Sequence, residues 1–158
     1  MRRTLVVGLG NPLLRDDSVG LQVAAALRPR LENRPDIEVA EDYRGGLRLM
    51  ESMIGFDRAI VIDAICSGAP PGTIHRLTPH AVPTQHSASS HDLNLPTALE
   101  LGRQAGAHLP ASSDILIVAV ESADMTTFGE TLTPEVEAAV PLAVQAVLDA
   151  LEGDAPPH

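Results

Sequence analysis

The chain has 158 residues, 44% of them hydrophobic, enough for one domain whose core stands without disulfides or a structural metal. A single cysteine, Cys66, excludes an intrachain disulfide and a cysteine-rich zinc site and fits a reducing compartment. Eleven Lys and Arg against 21 Asp and Glu give a formal charge of -10, and with only two Phe, one Tyr and no Trp the chain lacks the cations and aromatic platforms that nucleic acid requires. A cation or a polypeptide suits such a surface better.

Thr4 to Gly8 reads as a short apolar strand, too short for a secretion signal, and no other stretch is long enough to span a bilayer. A cytoplasmic protein without a membrane partner is expected. Ser18 to Leu31 follows with Val19, Val23, Leu27 and Leu31 at four-residue spacing, the apolar stripe of a helix, so the two elements form a βα unit. The turn between them runs from Gly8 to Asp17, bends sharply at its glycines, and delivers adjacent carboxylates, Asp16 and Asp17, to the helix start. Ile37 to Ala40 is a second strand closed by Glu41 and Asp42, and Leu47 to Ile54 a short helix. Arg58 to Ala64 holds the continuous apolar run of a buried parallel strand, with Asp63 at its carboxyl end.

Cys66 to Gly72 turns into a fourth strand, Thr73 to Leu77, and Thr78 to Ser90 reads as a long surface loop. Leu93 to Ala105 is helical with Pro96 in its first turn, and Asp114 to Val120 is a fifth strand ending at Glu121. Thr133 caps a last helix that Pro134 opens, with Val136, Val140, Val144, Val147 and Leu151 as its buried stripe and a bend at Pro141. A single domain over residues 1–152 with a frayed tail at 153–158 is expected. Alternating strands and helices at this length predict a three-layer α/β/α sandwich over an about five-stranded, mostly parallel sheet.

Ligands in such folds gather outside the carboxyl ends of the strands. The segments there bring Asp16, Asp17, Glu41, Asp42, Asp63 and Glu121 to one rim. Asp17, Asp63 and His91 together make a donor set that suits zinc, nickel or iron(II) and leaves positions open for water or substrate. Each also has a structural alternative: Asp17 as a helix cap, Asp63 as acceptor in the turn after its strand, His91 as a cap or an exposed side chain. Gly8-Leu9-Gly10 lacks the third glycine of a dinucleotide fingerprint, because Leu13 holds that place. Cys66 reads as an idle thiol, and His75, His80 and His86 as surface histidines near the loop.

These residues together resemble the nickel-iron hydrogenase maturation endopeptidases. The family's Gly-x-Gly-Asn-x-Leu-x-x-Asp-Asp/Glu opening is matched from Gly8 to Asp17, its aspartate after the third strand by Asp63, and its Ser-x-His histidine by His91 in Ser89-Ser90-His91. Gly72-Thr73 and Leu132-Thr133-Pro134 extend the likeness nearly end to end. Ser18 departs from the small apolar residue or glycine common there, and Asp42 to Gly46 from a glycine-rich segment that bears on substrate recognition.

The resemblance implies a phosphorylase/hydrolase-like sandwich. It implies that Asp17, Asp63 and His91 bind metal, nickel supplied by the substrate, although zinc or another divalent ion suits the same donors. The implied partner is a hydrogenase large-subunit precursor, from which a monomeric enzyme removes a C-terminal extension. Asp42 is the candidate for orienting substrate or acting as base. Two other readings are weighed. A peptidyl-tRNA hydrolase shares Gly-Leu-Gly-Asn-Pro, but Arg15-Asp16-Asp17 and the negative charge oppose it; a metal-dependent chaperone would use the same ligands without cutting.

Overall fold

A computed structural model describes residues 2–43, 45–81 and 94–153. Five strands, β1 (Thr4–Leu9), β2 (Ile37–Asp42), β3 (Arg58–Ile65), β4 (Ile74–Leu77) and β5 (Ile115–Glu121), make one sheet in the order β2-β1-β3-β5-β4. Four are parallel, and β4 runs antiparallel along the outer edge of β5. Helices α1 (Val19–Leu31), α2 (Gly46–Met53), α3 (Leu95–Gln104) and α4 (Pro134–Gly153) cover both faces.

Because β1 and β3 are sandwiched on both sides, neither alternates polar with apolar residues, as parallel strands in this position require. On one face Val6, Ile60 and Val118 pack with Val19, Val23 and Leu27 of α1 and with Val136 and Val147 of α4. On the other, Leu5, Val7 and Val61 meet Leu49, Met50 and Met53 of α2 and Leu99 of α3. Each large side chain moved from water into these layers contributes about 2 kcal/mol. The sandwich and the stripe of α1 therefore match the sequence reading.

Several boundaries differ for local reasons. β2 continues through Glu41 and Asp42, which pair with Gly8 and Leu9, so these acids are the strand's last residues. Asn94 caps the third helix by accepting a hydrogen bond from Thr97 N at 3.0 Å, so the helix starts at Leu95, two residues later than the expected start at Leu93. α4 runs on through Pro141 and takes in Gly153, which the sequence reading placed in the tail. Thr133 stands before α4 as expected, but its hydroxyl donates to Asp16, while its carbonyl accepts from Glu137 N at 2.9 Å.

Closest packing occurs where α1 begins. A Cβ on Gly20 would lie 2.3 Å from Leu9 O and 2.4 Å from Ile62 O, so only a residue without one lets the helix cross β1 and β3 there. The crossing seats the first turn of the helix directly over the carboxyl ends of both strands.

Candidate active site at the carboxyl edge

Sheet register aligns the rim. Asp42 pairs with Leu9, Gly8 pairs with Ile62 one step before Asp63, Asp63 pairs with Ala119, and Ala119 pairs with His75. Paired residues in a sheet share a face. Leu9 and Ala119 belong to the α2/α3 side of the core, so Asp42, Asp63 and His75 stand in one row on that side.

Above this row the chain makes a single 3₁₀ turn, Asp16–Ser18, which touches β3 and leads into α1. The turn sends its two carboxylates opposite ways. Asp16 is fully buried and accepts from Ala123 N at 2.9 Å, Asp124 N at 2.8 Å and Thr133 N at 2.8 Å, besides the Thr133 hydroxyl. It fastens the turn to the segment between β5 and α4 and takes no place at the rim, contrary to the sequence reading that counted it there. Asp17 is 5% exposed, and its Oδ2 accepts from Asn11 N at 3.1 Å. Gly10 permits this fold-back: its φ is +153°, and its Cα abuts the carbonyl of Asp17.

Asp63 is half-buried and its Oδ1 accepts from Ala64 N at 2.8 Å. Asp17 lies three residues before Gly20, and Gly20 sits on the carbonyl of Ile62, the residue before Asp63. The crossing thus packs the segment that bears Asp17 against the strand that bears Asp63, and each acid is a hard oxygen donor of the kind divalent ions take. His91 lies outside the described residues. Among the described residues no group of three His, Cys, Asp or Glu stands close enough to hold an ion by itself.

Asp42, at the end of β2, is held among the described residues by Tyr43 N at 2.8 Å and an Arg48 guanidinium nitrogen at 3.2 Å on Oδ1, and by Ser52 Oγ at 3.3 Å on Oδ2. Such an acid is fixed in direction. Glu41 points to the other side, where it faces the exposed Arg28 at 3.6 Å, a screened pair worth little. Cys66 is exposed, and nothing in its surroundings gives it a role.

Glu121 is 1% exposed and accepts from Ser67 N at 2.7 Å, from the Ser67 hydroxyl and from His75 Nε2 at 3.0 Å. Burial pushes its carboxyl up, but the Ser67 bonds and then His75 outweigh that and hold it below its ordinary value. His75 is therefore tied into the β4–β5 edge, which corrects the reading of it as a surface histidine. The pairing of β4 with β5 was the missing signal, since it alone sets His75 beside Glu121.

Comparison with known proteins adds a separate finding. A family model described as hydrogenase maturation protease matches residues 21–150. The Hydrogenase 2 maturation protease of Escherichia coli (strain K12) is 34% identical over 152 residues, covering 94% of this chain and 90% of the relative. Hydrogenase expression/formation protein HupD of Rhizobium leguminosarum bv. viciae is 28% identical over 152 residues, covering 94% and 74%. Among solved structures, the hydrogenase maturating endopeptidase HybD from E. coli superposes with a TM-score of 0.74 at 31% identity over 97% of this chain and 94% of that one. A [NiFe] hydrogenase maturation protease HycI from Thermococcus kodakarensis KOD1 gives a TM-score of 0.71 at 20% identity over 95% and 92%, a likeness of fold alone.

Proposed function

Because this chain belongs to the hydrogenase maturation protease family, and so is a hydrogenase maturation endopeptidase, we propose that Asp17, Asp63 and His91 grip nickel carried by a hydrogenase large-subunit precursor. The enzyme then cuts a C-terminal extension from that precursor. The observation that carries this reading is the different fate of the two neighbouring acids: Asp16 is consumed in holding the turn, while Asp17 belongs to the part of the turn that packs on β3, the strand that bears Asp63. His91 is supported by sequence context, since it stands three residues before Asn94, where the capped start of α3 lies.

A divalent ion at this corner polarises a carbonyl or a bound water at neutral pH. The chain's own part is positional. Asp17 and Asp63 fix where the client's ion comes to rest, and the scissile peptide is aligned by that ligation. Asp42, in the same row as Asp63 and held in direction by Arg48, orients the substrate chain or accepts a proton from the attacking water. Zinc or another divalent ion would suit the same donors. This reading takes the enzyme as a single domain over residues 1–152, acting as a cytoplasmic monomer.

The test mixes purified protein with nickel-loaded precursor and follows mass. Loss of a C-terminal peptide is expected with the wild-type chain. Asp17→Ala or His91→Ala abolishes it while the thermal melt stays close to wild type. Processing at the normal rate by either variant removes the ligand assignment, and a stable complex without mass loss would make the protein a chaperone.

A further inference from the structure

We infer that His75, held by the buried Glu121, carries the proton that peptide cleavage moves, taking it from the attacking water and handing it to the departing amine. The inference rests on the reading above, in which the client's ion comes to rest at Asp17 and Asp63. Among the described residues three acids are buried, Asp16, Asp17 and Glu121. Burying a carboxylate costs free energy unless donors surround it, and Glu121 has them in Ser67 and His75. The turn after β3 is already fastened without the histidine: Ser67 donates from its backbone and its hydroxyl, Gly72 N donates to Glu121 O at 2.8 Å, and Glu121 N donates to Thr73 O at 2.8 Å. The remaining bond aims a ring whose side chain stays 25% exposed.

Burial opposes ionisation of Glu121, but the Ser67 bonds and then His75 keep it below its ordinary pKa, so it meets the ring as a carboxylate at neutral pH. A carboxylate only accepts. Nε2 therefore carries the hydrogen of the neutral imidazole, and Nδ1 presents a lone pair. Among the described residues Nδ1 has no hydrogen-bond partner. An imidazole fixed by a carboxylate at one nitrogen and open at the other takes up a proton and returns it without turning.

Placement ties this ring to the cleavage. The strand order sets β3 in the middle of the sheet, with β2 and β4 at its edges. Asp63 on β3 is level with Ala119 on β5 and with His75 on β4, all on the α2/α3 side. At about 4.8 Å per strand, His75 starts about 10 Å from Asp63, a span that their two side chains and a peptide group between them fill. Asp42 holds the matching place two strands to the other side of β3. A chain whose ion rests at Asp63 thus meets Asp42 on one flank and His75 on the other, and Asp42 is left to orient it. The water oxygen bonds to the scissile carbonyl carbon as its proton passes to Nδ1. The carbon–nitrogen bond then breaks, and that proton goes to the leaving nitrogen, so the ring ends as it began.

The experiment follows processing of nickel-loaded precursor across precursor concentrations for wild type, His75→Gln and His75→Ala, with a thermal melt and a calorimetric nickel titration of each. The glutamine keeps an N–H for Glu121 but cannot carry a proton. Expected is a kcat about a hundredfold lower in both variants, with KM and nickel affinity unchanged and the His75→Gln melt close to wild type. Free imidazole should restore part of the activity of His75→Ala. Should His75→Ala fail to fold, His75→Gln decides alone. A normal kcat in His75→Gln overturns the proton role and leaves the protease reading standing. Weaker nickel binding overturns it too, since His75 is then a ligand, as does a change confined to KM, which makes it a substrate contact. A folded His75→Ala that gains nothing from imidazole also overturns it, because the ring then serves structure. If wild type leaves the loaded precursor intact, the proposed function falls and the proton role with it.

Discussion

Asp16 and Asp17 are chemically identical neighbours with different tasks, and removing each should read out differently. Asp16→Ala leaves three backbone N–H groups and a hydroxyl without their acceptor, those of Thr133 buried. We expect a loss of about 3 kcal/mol, seen as a lower midpoint in urea, with activity lost along with the fold. Asp17→Ala is expected to cost stability of about 1 kcal/mol or less and all of the processing. The motif spacing made both acids legible but not their division of labour, because Asp16's partners lie past residue 120 and no local pattern points that far. Glu121 gives a pH prediction. Its folded pKa lies below the ordinary value of 4.5, so the folded state binds fewer protons than the unfolded one. The associated stability is present above pH 4.5 and drains away as pH falls through the folded value. Glu121→Gln should melt lower than wild type at pH 7, and the gap should shrink steadily as melts are repeated toward pH 3.

At the scale of elements, the α1 stripe and the continuous apolar run of β3 were readable because both report burial directly. The direction of β4 was also latent in the sequence. After β3 the chain reaches the carboxyl edge with only the turn-rich stretch from Cys66 to Thr73 before the next strand, and without a helix to carry it back it must descend antiparallel. What spacing could not reveal is how tightly α1 sits. Gly20→Ala would push a methyl group against two backbone carbonyls at 2.3 and 2.4 Å. We expect about 3 kcal/mol of destabilisation in urea melts, and weaker nickel binding by calorimetry because the turn bearing Asp17 is lifted from β3.

For the whole molecule, both ends of the sheet carry acids, but Asp36, Asp57 and Asp114 at the strand starts each lie beside Arg or His, with Arg34, His108 and Arg2, while Asp42, Asp63 and Glu121 stand at the carboxyl edge. Fold class was legible from alternation alone, whereas the packing of the turn that bears Asp17 against β3, the strand that bears Asp63, needed the three-dimensional crossing of α1. A rim of this kind draws a cation brought by a client more strongly than it draws an uncharged peptide. Metal-free precursor should therefore remain full length under conditions where the nickel-loaded form is trimmed to completion, as judged by intact mass. Equal trimming of both forms would remove nickel from the recognition step.

The three backbone groups that Asp16 captures belong to residues 123, 124 and 133. During synthesis those residues leave the ribosome more than a hundred residues after Asp16, so the early nascent chain has no means of setting the loop that presents its neighbour. Competence to process a client thus arrives late and all at once, only after the segment that follows β5 has been made.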